Sequence, residues 1–248
     1  LSRRTALVTG AAAGIGAAIA ALLAARGYRV ALLDRDGEAV RQAAGGLPDA
    51  VAVAADVADE AAVQRAFDAL PFVPDLLVNN AGIVRFGLLA EQSVADFRAV
   101  IEVNLVGVYV MTRAAVQRML PLGRGHVISL TSINAYSPGP GAGAYPASKS
   151  AVLQLMRQFA LEYGEQGLRF NSVAPGFIDG GMSAPIYADP AVRAARQGGV
   201  PLQRLGTPGD IAEAVAFLDS PAGGYVNGHD LVVDGGVTHA VLKSLPRA

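Results

Sequence analysis

Thr5-Ala6-Leu7-Val8-Thr9-Gly10-Ala11-Ala12-Ala13-Gly14-Ile15-Gly16 is the stretch on which the fold of this chain turns. Thr5 to Thr9 is a short apolar run that reads as a buried strand. It leads straight into a turn with Gly10, Gly14 and Gly16, and the residues that follow read as a helix through about Arg26, stopped by Gly27. A glycine-rich turn between strand and helix lets the backbone approach a pyrophosphate at the positive helix N-terminus. The spacing is G-x-x-x-G-x-G, which differs from the G-x-G-x-x-G dinucleotide fingerprint.

The next strand, Tyr28 to Leu33, ends at Asp34, eighteen residues after Gly16. An acid near this offset takes the hydroxyls of an adenosine ribose and repels a 2′-phosphate, so the expected cofactor is NAD rather than NADP. Arg35 argues the other way, because an arginine beside this acid accommodates a 2′-phosphate. Ala13 leaves the glycine turn without a basic residue, and the balance falls to Asp34.

Outward from this unit, strands and helices alternate. Val51 to Ala54 precedes Asp56-Val57, and Leu76 to Val78 precedes Asn79-Asn80-Ala81-Gly82. His126 to Thr131 precedes Ser132, Arg169 to Val173 precedes Ala174-Pro175-Gly176-Phe177-Ile178-Asp179, and Leu231 to Val233 is the last strand. Helical patterns cover about Asp36–Gly45, Glu60–Leu70, Val94–Leu120, Tyr145–Gly164 and a segment opening at Thr207-Pro208, with Thr as cap and Pro at the first helical position. Alternation of this kind predicts an α/β fold, a doubly wound parallel sheet covered on both faces. In such sheets ligands bind beyond the carboxyl ends of the strands, where the polar points above fall. Residues 180–205 read as an irregular excursion and hence a lid. No linker or composition shift divides the chain, so 1–248 is expected to be one unit.

Composition narrows the partners. The net charge is −1 and Trp is absent, so no basic stripe or stacking platform meets a nucleic acid. With no Cys there is no disulfide and no thiolate metal site, and His126, His229 and His239 are isolated, so no metal is expected. The longest apolar run, Ala17 to Ala25, is too short to span a bilayer. No leader precedes Thr5 in this sequence, and a cytoplasmic location is expected.

The chemistry gathers between Ser132 and Lys149, S-I-N-A-Y-S-P-G-P-G-A-G-A-Y-P-A-S-K. Residues four apart share a helix face, so Tyr145 and Lys149 can point a phenol and an ammonium into one site. A phenol titrates near 10, and a fixed cation favours its phenolate, which makes Tyr145 a candidate general acid/base. Of twenty basic residues eighteen are Arg; Lys149 and Lys243 are the exceptions. A chain that so prefers Arg and still places Lys at 149 has a use for a compact ammonium there. Asn104, in an apolar helix middle, needs a hydrogen-bonding partner.

Thr9-Gly10-x-x-x-Gly14-Ile15-Gly16, Asn79-Asn80-Ala81-Gly82, Asn104, Ser132, Tyr145-x-x-x-Lys149 and Pro175-Gly176, in this order, resemble the short-chain dehydrogenase/reductase family over about Thr5 to Gly236. The resemblance implies a Rossmann-type seven-stranded sheet of order 3-2-1-4-5-6-7. It implies Tyr145 as the proton-transfer residue, Lys149 as the cation that lowers its pKa and holds the nicotinamide ribose, and Ser132 as the hydroxyl that positions the substrate oxygen. Asn104 would fix a helix kink and a water extending a proton relay from Lys149. Asp56 and Val57 would flank the adenine, Asn80 and Ala81 the ribose side, and Pro175, Gly176 and Ile178 the nicotinamide. A homotetramer or homodimer would form through the helices carrying Asn104 and Tyr145. The family's usual Thr two residues after the Ile178 position is replaced by Gly180, followed by Gly181, and a loosened lid is the expectation.

The implied reaction interconverts a secondary alcohol and a ketone. Ile133, Asn134, Tyr136, Val84, Phe86, Phe177, Met182, Ile186 and Tyr187 are the side chains expected to face the substrate, with Asn134 a single amide in an apolar wall; a small polyol, sugar or hydroxy acid suits it. One alternative is an NADPH-dependent reductase of 3-oxoacyl thioesters, docking an acidic carrier on Arg124, Arg193 and Arg196. Another, a non-catalytic dinucleotide sensor, would lack the Tyr or Lys that this chain keeps.

Overall fold

The computed structural model describes residues 3–240; the end of the tail from Val237 lies outside the described residues. Seven parallel strands form one sheet in the order β3-β2-β1-β4-β5-β6-β7. They are β1 (Thr5–Thr9), β2 (Arg29–Asp34), β3 (Val51–Ala54), β4 (Leu76–Asn79), β5 (Gly125–Leu130), β6 (Leu168–Pro175) and β7 (Asp230–Val233). The sheet is buried on both faces, so its strands read as continuous apolar runs. Successive side chains alternate between two cores. Leu7, Leu33, Leu77, Val127 and Phe170 pack with Met111 and Met156 on one face. Ala6, Val8, Leu32, Val78 and Ile128 pack with Ile19, Val40 and Ile211 on the other.

The helices are α1 (Gly14–Ala25), α2 (Gly37–Gly45), α3 (Glu60–Ala69), α4 (Val94–Ile101), α5 (Gly107–Met119), α6 (Tyr145–Tyr163), α7 (Pro190–Gly199) and α8 (Pro208–Leu218). Their starts follow capping chemistry. Asp36 accepts from the amides of Glu38 and Ala39, Asp59 from Ala62, Ser93 from Asp96, and Thr207 forms a capping box with Asp210.

Two segments differ from the sequence reading. The single long helix expected from Val94 to Leu120 is two helices joined by a π-helical turn, Glu102–Val106, with Asn104 inside it. A single π turn shifts the helical register by only one residue, which a continuous apolar pattern does not show. The run Val94–Leu122, which includes polar residues, is long and apolar enough by length and composition to cross a membrane; half of its most apolar 18-residue window is buried inside the fold. Residues 180–205 are not wholly irregular, because they contain α7, capped by Asp189, which accepts from the amides of Ala191 and Val192, and opened by Pro190.

Candidate active site

β5 ends at Leu130 and delivers Ser132 to the carboxyl edge of the sheet, where Thr131 bonds back to β6 through its amide on the Val173 carbonyl (2.8 Å). The Ser132 hydroxyl caps a single 3₁₀ turn, accepting from the Asn134 amide at 3.1 Å. α6 begins at Tyr145 and places Lys149 one turn on, with the ammonium 5.6 Å from the Tyr145 ring centroid. Lys149 is buried, and its Nζ donates to the Leu130 carbonyl at 2.7 Å. Ser132, Tyr145 and Lys149 therefore meet at one edge, as expected.

Electrostatics at this edge are set mainly by exclusion of water. Burial pushes the Lys149 ammonium down to about 8, so it still carries its charge at neutral pH. Burial likewise pushes the Tyr145 phenol above its ordinary value, and the Ser132 hydroxyl, hydrogen-bonded to it, pulls the other way without winning. Lys149 and the positive nicotinamide ring are together expected to lower this pKa; among the protein's own groups, loss of solvent around a phenolate acts the other way, and the group rests as a protonated phenol.

Asn104 is fully buried and fully partnered. Its Oδ1 accepts from the Ile83 amide (2.8 Å), and its Nδ2 donates to the Ile83 carbonyl (2.9 Å) and the Ser148 hydroxyl (3.1 Å). It ties the π turn to the loop after β4 and to the helix that carries Lys149. A β-carbon at Gly82 would lie 3.3 Å from Asn104 Oδ1 and 3.6 Å from Lys149 Nζ, so the three residues form one cluster.

The glycine turn fits a dinucleotide. Gly10 and Gly14 have φ of +61° and +58°, and a β-carbon would strike Ala81 Cα at 2.9 Å from Gly10 and Gly181 Cα at 2.8 Å from Gly14. On Gly16 a β-carbon would lie 2.2 Å from the Gly10 carbonyl oxygen. No side chain caps α1 and its first turn holds no acid, which leaves its amides for an anion, beside Ile15. A cleft runs from Gly10 past Asp34, Arg35, Asp56 and Val57 to Ala81 and Gly82. Asp34 is fixed across its mouth, with one carboxylate oxygen on the Ala12 amide (3.3 Å) and the other on the Asp36 amide (3.1 Å). Arg35 lines the same cleft and is exposed.

Some assignments land differently in detail. The Asn80 amide donates to the Thr9 and Gly10 carbonyls (both 3.0 Å), so it braces the glycine turn from within. Thr9, given no role by the sequence, is the other half of this brace: its hydroxyl accepts from the Asn80 and Ala81 amides at 3.0 Å. Pro175 ends β6, Gly176 is pressed against Asp234, and Ile178 is buried and bridged to Gly206. Asn134 Oδ1 accepts from the Gly139 amide at 2.9 Å, which holds the Pro/Gly loop. Tyr136 donates to Asp230 at 2.5 Å. Met182 is half exposed and Tyr187 is buried. Gly180 and Gly181 have φ of +154° and +55°, and a β-carbon on Gly180 would meet Pro208 at 2.9 Å. Close approach of the lid to Gly14 and Pro208, rather than looseness, is the physical demand for two glycines there.

A family profile described as enoyl-(acyl carrier protein) reductase matches residues 10–238. A solved structure described as a short chain dehydrogenase/reductase family protein superposes with a TM-score of 0.88 at 38% identity, covering 95% of this chain and 97% of its own. The chain belongs to the short-chain dehydrogenase/reductase family. Among curated members of that family, it is 42% identical to cis-4-hydroxycyclohexanecarboxylate dehydrogenase of Sinomonas cyclohexanicum over 246 residues, 96% of this chain and 97% of the relative. It is 38% identical to 3beta-hydroxysteroid dehydrogenase 1 of Eggerthella lenta over 247 residues, 96% and 95% respectively. Among solved members of the family, two hold NADP and another holds NADH.

Proposed function

We propose that this oxidoreductase interconverts a secondary alcohol, a small polyol, sugar or hydroxy acid, and its ketone, with NAD as its cofactor and Tyr145 as the proton-transfer residue. The observation that carries the reading is the meeting of Ser132, Tyr145 and a buried, charged Lys149 at the sheet edge beside a glycine cradle. Gly10, Gly14, Ile15, Gly16, Asp34, Asp56, Val57, Ala81 and Lys149 would hold the dinucleotide, with Pro175, Gly176 and Ile178 at its nicotinamide end. The bound nicotinamide supplies the hydride acceptor in oxidation and the donor in reduction.

Ser132 holds the substrate oxygen. In the reducing direction Tyr145, protonated at rest, donates its phenolic proton to that oxygen. Donation leaves a phenolate, and the Lys149 cation stabilises that charge; in the oxidising direction the phenolate held beside Lys149 takes the hydroxyl proton and becomes neutral. Asn104 positions α6 through Ser148 and keeps the Ile83 loop against the cluster.

Asp34 supports NAD, since both of its oxygens are locked by backbone amides where a 2′-phosphate would sit. Of the three arginines offered for docking in the thioester-reductase reading, only Arg196 is left unpaired beside the site. Arg124 lies at the opposite edge of the sheet, bonded to Asp75 at 3.2 Å, and Arg193 is paired with Asp179. A panel of secondary alcohols followed by NADH absorbance, with NAD⁺ and NADP⁺ in parallel, tests the proposal. Turnover of small hydroxylated substrates with NAD⁺ is expected. Turnover of 3-oxoacyl thioesters alone, with NADPH, would sink it. A homotetramer is part of the same reading, supported by exposed Phe97, Tyr109 and Leu161 on α4, α5 and α6; a monomer in light scattering would remove that part.

A further inference from the structure

Six arginines make no ion pair among the described residues: Arg35, Arg41, Arg65, Arg98, Arg157 and Arg196. Five of them are exposed; Arg196 alone is sheltered. It stands in the last turn of α7, with its guanidinium carbon 5.1 Å from the Phe177 ring centroid and 5.7 Å from that of Tyr187. Two aromatic faces hold it in place and shield it from solvent, yet no carboxylate answers its charge. One turn earlier Arg193 is paired with Asp179, which anchors the helix and leaves Arg196 free of that duty.

A second orphan lies beside it. Tyr187 is 5% exposed, and its hydroxyl is buried with no hydrogen-bond partner. A buried hydroxyl left unpaired costs about 1–3 kcal/mol, so a tyrosine there, in place of phenylalanine, points to a ligand. Both groups overhang the exit of β6, where Phe177 follows Pro175 and Gly176, alongside the strand that delivers Ser132.

We infer that Arg196 and the Tyr187 hydroxyl form an anion-recognition subsite, and that the physiological substrate is a secondary alcohol carrying a carboxylate. The guanidinium fork receives the carboxylate, Tyr187 donates to it, and the alcohol carbon is left for Ser132 and Tyr145. This rests on the function proposed above and selects the hydroxy acid from its three substrate classes. The 42% identical relative is named for a hydroxycyclohexanecarboxylate, which agrees with that selection.

Paired probes test it: cis-4-hydroxycyclohexanecarboxylate against its methyl ester, and D-gluconate against D-glucitol, each with saturating NAD⁺. In the wild type the acids should exceed their neutral partners in kcat/KM by about 10- to 100-fold, the worth of one hydrogen bond to a charged group. Arg196→Leu should collapse that ratio towards one, chiefly through KM for the acids. Arg196→Lys, keeping the charge but not the fork, should recover part of it, and Tyr187→Phe should lose a smaller share. Calorimetric titration of each acid gives a readout without turnover, and weaker binding to Arg196→Leu is expected there. An acid-to-neutral ratio near one in the wild type, or one unmoved in Arg196→Leu, overturns the inference while leaving the alcohol dehydrogenase reading intact. If no probe turns over, that reading fails, and the calorimetry alone decides the anion subsite.

Discussion

The two ends of the same parallel sheet bury charge in opposite ways. At the amino edge Asp219 is buried at the centre of a closed network. Arg4 pairs with it at 3.0 Å, the Tyr28 hydroxyl donates to it at 2.8 Å, and His126 Nδ1 lies 2.9 Å from its other oxygen. His126 Nε2 meets the Asn171 amide at 3.0 Å, and Arg169 adds hydrogen bonds to the Leu218, Gly223 and Val226 carbonyls. Burial keeps His126 neutral, with its pKa below the ordinary value. Burial alone would raise the Asp219 carboxyl, but the surrounding hydrogen bonds and cations hold it low. At the carboxyl edge, Lys149 is almost as buried, with the Leu130 carbonyl and the Tyr145 ring beside it and no carboxylate paired with it. A charge with every partner supplied holds a fold together; a charge left short of partners remains available to a ligand or a reacting atom.

The sharpest way to break this comparison is at the carboxyl edge. Tyr145→Phe should lower turnover by about 10³-fold, the scale of general acid–base catalysis, with NAD⁺ affinity and melting temperature little changed. Steady-state kinetics with calorimetric NAD⁺ binding checks this, and retained turnover would remove Tyr145 from its role. At the amino edge Asp219→Ala strips the anion from Arg4, Arg169 and His126. It should destabilise the fold by about 3–5 kcal/mol in urea unfolding, while the folded fraction keeps its kcat.

Lys149→Met should do the reverse of Asp219→Ala. Depressing a lysine from 10.5 to about 8 is worth about 3 kcal/mol against folding. After loss of the Leu130 hydrogen bond, Lys149→Met should therefore gain about 2 kcal/mol at pH 7 while losing activity. The pH dependence of that gain follows from the same shift and is worth about 3 kcal/mol in all. A depressed folded-state pKa gives stability that is present above 10.5 and lost as pH falls through about 8. The advantage of Lys149→Met should thus be full below pH 8, fall on going from 8 to 10.5, and above that range leave only the loss of the Leu130 hydrogen bond. Unfolding of both proteins across that range reads it, and a constant difference would mean that Lys149 is not the buried cation described.

Much of the catalytic edge was legible in the chain. Glycine spacing, Tyr145-x-x-x-Lys149 and polar residues at strand ends follow from local rules: left-handed backbone, helical periodicity, and the placement of ligands beyond parallel strands. The amino-edge network was not legible. Arg4, Tyr28, His126, Arg169 and Asp219 are scattered over more than two hundred residues, and each alone reads as a surface charge or a turn. The same holds for Arg196 over Phe177 and Tyr187, and for the brace of Thr9 on Asn80 and Ala81.

The sequence by itself therefore determined the alternating elements, the two-sided burial of the sheet, and which polar side chains gather at its carboxyl edge, because these depend on neighbours within a turn or a strand. Only the tertiary structure decided the π turn at Asn104, the upward shift of the Tyr145 phenol and the contact of Gly181 with Gly14. Each of those depends on how much water and which distant groups surround a residue, and solvent exclusion is a property of packed layers that no local pattern encodes.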